Sequence, residues 1–278
     1  MRSAVTISLV KEAKGGPFVF WDDLAGGCRK AAELGFDAVE IFPPSSEAIS
    51  GDIVLPLLKD NGLHVAAVGT GAGWVIHRLT LTSPDATIRG RAKDFIRSII
   101  DAASVLGAPA IIGSMQGRWA EGVDCDAAMH YLEAALTELG EHAKRHGVPL
   151  IYEPLNRYET NLINTMSEGV ALLKALKTDN VKLLADLFHL NIEEADIAGA
   201  LRGAAGYVGH VHLADSNRRP ATCGHTDFAP IARALADIGY RGYISAECLP
   251  YPDSDGAATT TIAAFKKFFA AGVADGPH

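Results

Sequence analysis

Features that would assign this chain to several classes of protein are missing from its sequence. It has only four cysteines in 278 residues and no Cys-x-x-Cys pair, which indicates free thiols in a reducing cytoplasm rather than a disulfide framework. No run approaches the roughly eighteen apolar residues that a membrane-spanning helix needs. The N-terminal "MRSAVTISLVKEAKGG" also lacks the long apolar segment of a secretory signal. We therefore expect a cytoplasmic protein with no membrane partner.

The chain also has fewer basic than acidic residues. The chain has 25 Lys and Arg residues against 33 Asp and Glu residues, a formal net charge of −8. A nucleic-acid-binding surface needs clustered basic side chains, so we expect no nucleic-acid partner. The hydrophobic content of 48% is ample for a core, and this balance suits a protein with a small-molecule partner.

The length permits two average domains or one large α/β barrel. No linker, low-complexity tract or block of like charges divides the chain. We therefore predict a single domain over residues 1–278.

One junction recurs along the chain, in which a helical pattern ends at glycine and a short apolar run follows. Glycine just after a helix accepts the left-handed backbone conformation that ends many helices. Continuous apolar runs of this kind are typical of strands buried on both faces, as in a parallel sheet. The junction is seen in "AAELGFDAVEIF", "LKDNGLHVAAVG", "ASVLGAPAIIGS", "AKRHGVPLIYEP" and "LADIGYRGYISAE".

Helical patterns separate these runs. Before the pattern that ends at "ASVLG", Ser83 is the predicted N-cap and Pro84 the first helical residue. Thr165 and Glu168 have the spacing of a capping box at the start of another helix. The segment 70–83 between two such units is predicted to be a loop long enough to cover the barrel mouth.

Eight buried runs, each followed by a helical segment, predict a (β/α)8 TIM barrel. A doubly wound open sheet with fewer strands is the alternative architecture. The predicted strands are residues 4–10, 37–42, 63–69, 109–113, 149–153, 181–186, 207–213 and 242–247.

Ionisable residues stand at the ends of the last four predicted strands, where TIM barrels carry their chemistry. Strand 5 ends at Glu153, strand 6 at Asp186, strand 7 carries His212, and strand 8 ends at Glu247. Three carboxylates that converge without a counter-ion would repel one another, and one divalent cation would remove that repulsion. Oxygen ligands with one imidazole suit Mn²⁺, Mg²⁺ or Co²⁺. We therefore predict a metal site from these four residues.

Each of these residues also has a structural interpretation. A single glutamate at a strand end often pairs with a loop arginine, and Arg157 or Arg218 could serve Glu153 in that way. Alternation places His210 on the same face as His212. Because His212 lies nearer the strand end, it is the predicted ligand, and His210 is given a structural or supporting role.

The motifs "EPLNRYETNLINT", "ADLFHLNIEE", "GHVHLADSNRR" and "GYISAE" resemble the sugar phosphate isomerase/epimerase superfamily, which has the xylose isomerase-like TIM barrel. The resemblance is strongest to ketose 3-epimerases of the D-tagatose and D-psicose (allulose) type. It implies that one Mn²⁺ or Co²⁺ ion binds Glu153, Asp186, His212 and Glu247. It also implies that Glu153 and Glu247 are the catalytic acid and base. Substrate oxygens would be held by Glu159, His189 and Arg218.

This chemistry agrees with the residues at the strand ends. Removing a proton beside a ketone gives an enediolate, whose negative charge a divalent metal stabilises. Inversion then requires a base on one face and an acid on the other. Strands 5 and 8 stand three positions apart in a ring of eight, so Glu153 and Glu247 would approach from separate directions. Phe42 and Trp74 are candidates for an apolar wall or for core positions.

We therefore predict a metal-dependent epimerase of a ketose or keto-sugar derivative, with Mn²⁺ as the expected ion and Co²⁺ or Mg²⁺ as alternatives. The expected partner is a small-molecule sugar, and the expected assembly is a homodimer or homotetramer. Two other enzyme activities stay open: aldose–ketose isomerisation of the hydroxypyruvate or inosose kind, and a dehydratase or lyase step at the same metal. A non-catalytic sugar-binding subunit is the alternative outside enzymes.

His225 and Asp227 in "GHTDF" resemble the endonuclease IV branch of the superfamily, which binds additional metals through histidines after strands 3 and 4. In this chain those positions hold glycines, Ser114 and Gln116, and the chain is acidic. We therefore do not expect a DNA-repair nuclease.

Overall fold

The computed structural model describes residues 1–270, and its centre is a closed barrel of eight parallel strands. The barrel closes because β1 pairs with its neighbour in sequence and also with the last strand, where Val5 lies opposite Ala246. A two-residue strand, Phe20–Trp21, adds to the end of β1 outside the ring. The barrel strands are β1 Arg2–Ser8, β2 Ala38–Phe42, β3 His64–Gly69, β4 Ala110–Ile112, β5 Leu150–Tyr152, β6 Val181–Asp186, β7 Val208–Leu213 and β8 Tyr243–Ala246.

Ten α-helices are present in this part of the chain. Most follow a strand and return the chain to the opposite end of the barrel, as parallel strands require. They are α1 Leu24–Leu34, α2 Gly51–Asn61, α3 Ala72–His77, α4 Ala86–Val105, α5 Cys125–Arg145, α6 Met166–Ala175, α7 Leu187–Glu193, α8 Ile197–Gly203, α9 Phe228–Asp237 and α10 Ser254–Phe268. The predicted TIM barrel is confirmed, and the open-sheet alternative is wrong.

Helix starts follow the predicted capping chemistry except at α4, which begins at Ala86 rather than at the predicted Pro84. The capping box of Thr165 and Glu168 is present at the start of α6. Ser83 is not the N-cap of α4: Asp85 takes that place, and its Oδ1 accepts a hydrogen bond from the Thr87 N–H at 2.7 Å. Aspartate caps helices as well as serine does, so Asp85 can take this position two residues later.

The segment 70–83 is more ordered than the predicted loop. It contains α3, and Leu79 and Leu81 within it are buried in the main core. Thr70 Oγ1 donates a hydrogen bond to the Ile111 carbonyl at 2.7 Å, which joins the start of the segment to β4.

The barrel interior has an apolar floor and a polar upper layer. Ala67, Ile111, Ile151 and Leu184 form a small buried cluster separate from the main core between strands and helices. Side chains on one face of a strand recur every second residue, so the residues two positions beyond Ile151 and Leu184 face the same interior. These are Glu153 and Asp186. None of the helices within residues 1–270 has the length and hydropathy needed to cross a bilayer.

Candidate active site

Four side chains from the ends of β5 to β8 converge at the mouth of the barrel. The Nδ1 atom of His212 lies 3.7 Å from Glu153 Oε1, 3.5 Å from Asp186 Oδ2 and 3.4 Å from Glu247 Oε2. One potential ligand atom from each of the four residues lies within 4.8 Å of the other three. The structure thus brings together the four residues predicted from the strand ends.

Glu153 is buried immediately after β5. Its N–H continues the sheet by donating to the Ile112 carbonyl at 3.0 Å, and the Gln116 side-chain amide donates to the Glu153 carbonyl at 2.9 Å. Gly113 provides the space for its carboxylate, because a Cβ at Gly113 would overlap Glu153 Oε2.

The two oxygens of Asp186 have different surroundings. Oδ1 caps α7, accepting hydrogen bonds from the backbone N–H groups of Phe188 at 2.7 Å and His189 at 3.2 Å. Oδ2 is buried and has no hydrogen-bond partner within residues 1–270. The helix start therefore fixes the carboxylate, and its second oxygen faces the centre of the site.

Glu40 on β2 orients the histidines of β7, a role that was not predicted from the sequence. Its carboxylate lies 3.0 Å from His212 Nε2 and 2.7 Å from His210 Nε2. A carboxylate accepts a hydrogen bond from Nε2–H and so leaves Nδ1 of His212 directed to the site. His210 has the supporting role predicted for it. The sequence feature that could have indicated the role of Glu40 is a charged residue inside the apolar run "AVEIF".

Arg218 is an ion-pair partner of the site rather than a solvated loop residue. Its side chain is 16% exposed, and its Nη2 donates to Glu247 Oε2 at 2.7 Å. The guanidinium also lies 4.6 Å from the ring centre of Phe188 and 3.5 Å from Glu159 Oε1. Arg219, the adjacent arginine, instead stacks on Tyr251 outside the site.

His189 is held in one tautomer by Asn156, a buried residue without a predicted role. The Asn156 N–H lies 3.3 Å from His189 Nδ1, so Nδ1 is the acceptor and Nε2 carries the proton. Nε2 is directed between Glu153 and Asp186, at 3.8 and 3.7 Å, without a hydrogen-bond partner among the described residues. His189 can thus donate a hydrogen bond into the site.

The site has perturbed pKa values with identifiable causes. Burial and the neighbouring carboxylates Glu247 and Asp186 raise the pKa of Glu153 well above its usual value, against the opposing effect of His212. Burial also opposes the charge of Asp186, yet the interactions of its carboxylate with His189, His212 and Arg218 hold its pKa well below the usual value. Burial lowers the pKa of His189, which favours its neutral form. Glu40 and Glu247 outweigh burial and raise the pKa of His212.

A cavity of about 280 Å³ opens above these groups. Phe42, predicted as wall or core, lines it and stacks on Phe18 with ring centres 4.6 Å apart. Trp74 lines an adjoining cavity instead. His189, Arg218 and Glu159 also line the first cavity, so the three predicted substrate-binding residues border one space.

The donor set fits a divalent cation. Within residues 1–270, the buried atoms Asp186 Oδ2 and His212 Nδ1 have no hydrogen-bond partner, and both face the same point. Carboxylate oxygens with one imidazole nitrogen are ligands that Mn²⁺, Co²⁺ and Mg²⁺ accept. A cation there would also offset the repulsion that raises the pKa of Glu153.

His225 and Asp227 lie outside this constellation. Asp227 Oδ1 caps α9 by accepting from the Ala229 N–H at 3.0 Å, and His225 Nδ1 lies 2.9 Å from Ser216 Oγ. Local hydrogen bonds therefore account for both residues.

Comparison with known proteins agrees with the barrel and its site. The sequence model of the xylose isomerase-like TIM barrel family matches residues 28–268. This chain belongs to that family. The D-psicose 3-epimerase of Ruminiclostridium cellulolyticum is 36% identical over 79% of this chain and 76% of that protein. The L-ribulose 3-epimerase of Mesorhizobium japonicum is 34% identical over 77% of this chain and 72% of that protein.

A solved structure supports the same relationship. The crystal structure of D-psicose 3-epimerase with D-tagatose from Clostridium cellulolyticum H10 superposes with a TM-score of 0.81 at 26% identity. The match covers 98% of this chain and 100% of the other. The predicted family resemblance and the predicted class of enzyme, an epimerase or isomerase, are confirmed.

Proposed function

We propose that this family member is a ketose epimerase that depends on one divalent metal ion and inverts the carbon beside the carbonyl. The observation that carries the proposal is the convergence of Glu153, Asp186, His212 and Glu247, with ligand atoms within 4.8 Å of one another. The similarity to ketose 3-epimerases supports the substrate class.

In this proposal Glu153, Asp186, His212 and Glu247 hold the ion, with Mn²⁺ as the expected metal and Co²⁺ or Mg²⁺ as alternatives. When bound, a divalent ion supplies Lewis-acid stabilisation of the negative charge that develops on the substrate oxygens. Glu40 keeps the His212 ring in the orientation that this site requires, at a distance of 3.0 Å.

Glu153 and Glu247 move the proton in our proposal. One removes the proton from the carbon beside the carbonyl, and the other delivers a proton to the opposite face. Both carboxylates border the cavity in which the substrate would lie, as a general acid and base must. The Arg218 hydrogen bond to Oε2 fixes the position of the Glu247 carboxylate.

Three further residues are proposed to hold the substrate. The His189 Nε2–H, whose tautomer Asn156 determines, donates to a substrate oxygen beside the reacting carbon. Arg218 donates to a second oxygen, and Glu159 accepts from a hydroxyl group at the edge of the cavity. These contacts orient the substrate relative to both glutamates.

Deuterium exchange tests the proposed function. Protein loaded with Mn²⁺ is incubated in D₂O with a panel of free ketoses, including D-fructose and D-tagatose. Deuterium at the carbon beside the carbonyl, together with the epimeric ketose, is the expected result. Bound metal with no exchange in any ketose would contradict the proposal, and an aldose product would identify an isomerase.

Replacement of Gly113 by alanine is expected to lower kcat by about 10²-fold, because a misplacement near 1 Å of a reacting group can have that effect. The new Cβ would displace the Glu153 carboxylate. Steady-state kinetics with a ketose substrate, combined with a crystal structure of the variant, measures both changes. The matched control is Gly90→Ala on α4, where a Cβ meets no atom within 4 Å. It should keep kcat and gain about 0.5–1 kcal/mol of stability. Equal kinetics in the two variants would contradict the assigned position of Glu153.

Replacement of Glu40 by glutamine is expected to weaken metal binding by about 10–100-fold, the usual effect of losing a group that orients a metal ligand. Glutamine can still accept from His212 and donate to His210, so the fold should persist. Calorimetric titration with Mn²⁺ measures the affinity, and circular dichroism checks the fold. Unchanged affinity would show that Glu40 does not position His212.

A further inference from the structure

A second cavity, larger than the first, adjoins the site. Its volume is about 430 Å³, against about 280 Å³ for the cavity above Glu153 and Glu247. Ser114, Leu155 and Glu159 line both cavities and form the border between them. A ligand that reaches past Glu159 from the first cavity would therefore enter the second.

The walls of the second cavity are held in place by hydrogen bonds between segments distant in sequence. Thr82 Oγ1 lies 3.0 Å from the Gln116 carbonyl, which joins the end of the α3–α4 connection to the segment after β4. The segment after β5 is joined to the same region, because Thr160 Oγ1 donates to the Gly117 carbonyl at 2.8 Å. Trp119 and Asn161 exchange further hydrogen bonds of 2.9–3.0 Å. The cavity is thus part of the folded structure rather than a gap beside an unattached loop.

The lining of this second cavity suits a carbohydrate. It combines one large aromatic ring, that of Trp74, with the hydroxyl groups of Thr80 and Ser83 and the charged side chains of Arg118 and Glu121. Trp74 is 37% exposed, and the Arg78 guanidinium lies 5.0 Å from the centre of its ring. An indole combines flat apolar faces with a polar N–H edge. Hydroxyls, an arginine and a carboxylate supply donors and acceptors for ring hydroxyls of a ligand.

The sizes of the two cavities indicate how large a substrate the site can hold. Small-molecule sites usually occupy about 300–1,000 Å³, so the first cavity, at about 280 Å³, is just below that range and suits a single ketose. A free six-carbon sugar placed above the two glutamates would leave the adjoining cavity unfilled. A preformed polar cavity next to a catalytic centre is well placed to bind a remote part of the substrate.

We propose that the second cavity binds a sugar ring or similar polar group attached to the ketose, so that the preferred substrate is a glycosylated keto-sugar rather than a free ketose. This inference rests on the proposed function of the first cavity. The attached group is joined to a carbon remote from the carbonyl, which leaves the carbonyl and its neighbouring carbon free to react.

The test compares D-fructose with isomaltulose, a fructose that carries a glucosyl group on its terminal hydroxyl. Deuterium incorporation in D₂O gives kcat/KM for each sugar with the Mn²⁺-loaded protein. We expect isomaltulose to be favoured by about 10-fold or more, the equivalent of about 1.4 kcal/mol from contacts in the second cavity.

Two variants show whether the second cavity causes the preference. Ala120→Trp introduces a bulky side chain at an exposed lining position, and Trp74→Ala removes the aromatic ring. Each should lower kcat/KM for isomaltulose about 10-fold more than for D-fructose. Ala205→Trp, at an exposed position before β7 and remote from the barrel mouth, is the matched control and should keep the ratio of the parent protein.

Binding measured by saturation-transfer NMR separates this inference from the proposed function. Exchange of D-fructose with no preference for isomaltulose, or a preference that both variants retain, would overturn the inference and leave the epimerase proposal intact. If isomaltulose and every ketose of the panel fail to exchange, but isomaltulose binds and Ala120→Trp and Trp74→Ala weaken that binding, the second cavity is a sugar site and the proposed reaction is wrong. Absence of exchange in the whole ketose panel, together with no binding of isomaltulose, would overturn the two proposals together.

Discussion

Replacement of either Glu153 or Glu247 by glutamine is expected to lower kcat for ketose epimerisation by about 10²–10⁴-fold, the range that loss of a general acid or base produces. Glutamine keeps the shape and an oxygen atom at each position but cannot accept or deliver the proton. The proposal places the two groups on opposite faces of the substrate, so each variant should lose inversion. Steady-state kinetics, started from each epimer of the ketose in turn, measures the loss.

The two variants should differ in deuterium exchange. A variant with one remaining base can still remove and return a proton on that base's side of the substrate. It should therefore incorporate deuterium into one epimer without converting it, and the other variant should do so with the opposite epimer. Exchange lost equally from both epimers in both variants would contradict the assignment of one base to each face.

Two controls are needed for this experiment. Glu133→Gln on the outer helix α5 changes a glutamate outside the site and should keep the parent kcat. The metal content of each variant must also be measured by elemental analysis, because Glu153 and Glu247 are proposed ligands as well as bases. Rates are then compared only between samples that hold the same amount of metal.

Addition of Mn²⁺ to metal-free protein is expected to raise the thermal unfolding midpoint by about 5–10 °C when the ion is present at 100 times its dissociation constant. A ligand at that concentration adds about 2.7 kcal/mol to the free energy of unfolding, and a chain of this size gains about 2–4 °C per kcal/mol. The added ion also offsets the repulsion among the three carboxylates that converge on His212 Nδ1. Differential scanning calorimetry measures the shift.

Asp186→Asn is the matched variant for the stabilisation by Mn²⁺. Asparagine is as good an N-cap as aspartate, so α7 should keep its hydrogen bonds to residue 186. The charge on the oxygen that faces the site is lost, and most of the Mn²⁺-dependent shift should be lost with it. Removal of the metal by a chelator should abolish turnover in the parent protein. A full shift in Asp186→Asn would show that the ion binds elsewhere.

Local patterns in the sequence were sufficient to predict the fold and the four residues that converge at the barrel mouth. Eight apolar runs separated by helical segments predict the barrel, because strand and helix periodicities arise from the geometry of neighbouring residues. All eight predicted strands match observed strands, with the largest offset, two residues, at the first. Once a barrel is assumed, the ends of successive strands must meet at one rim, which is why Glu153, Asp186, His212 and Glu247 could be predicted together.

Contacts between side chains that are distant in the sequence were harder to predict. Arg218 was predicted to contact substrate or to pair with Glu153, and the sequence did not indicate that it pairs with Glu247. In the folded chain Arg218 adopts a left-handed backbone conformation with φ of 59° and is directed to Glu247. The partner of a flexible side chain depends on the path of its loop, and sequence spacing does not specify that path.

The order of strands and helices, the barrel and the acidic rim of its last four strands were determined by the sequence alone, since each follows from patterns within a few residues. The tertiary structure alone decided that Glu40 meets His210 and His212, which are 170 and 172 residues away. It also decided that Asn156 sets the tautomer of His189 and that a second cavity borders the first. These features arise because barrel closure and loop packing bring together side chains that are far apart along the chain. Their positions in the sequence do not show that they are in contact.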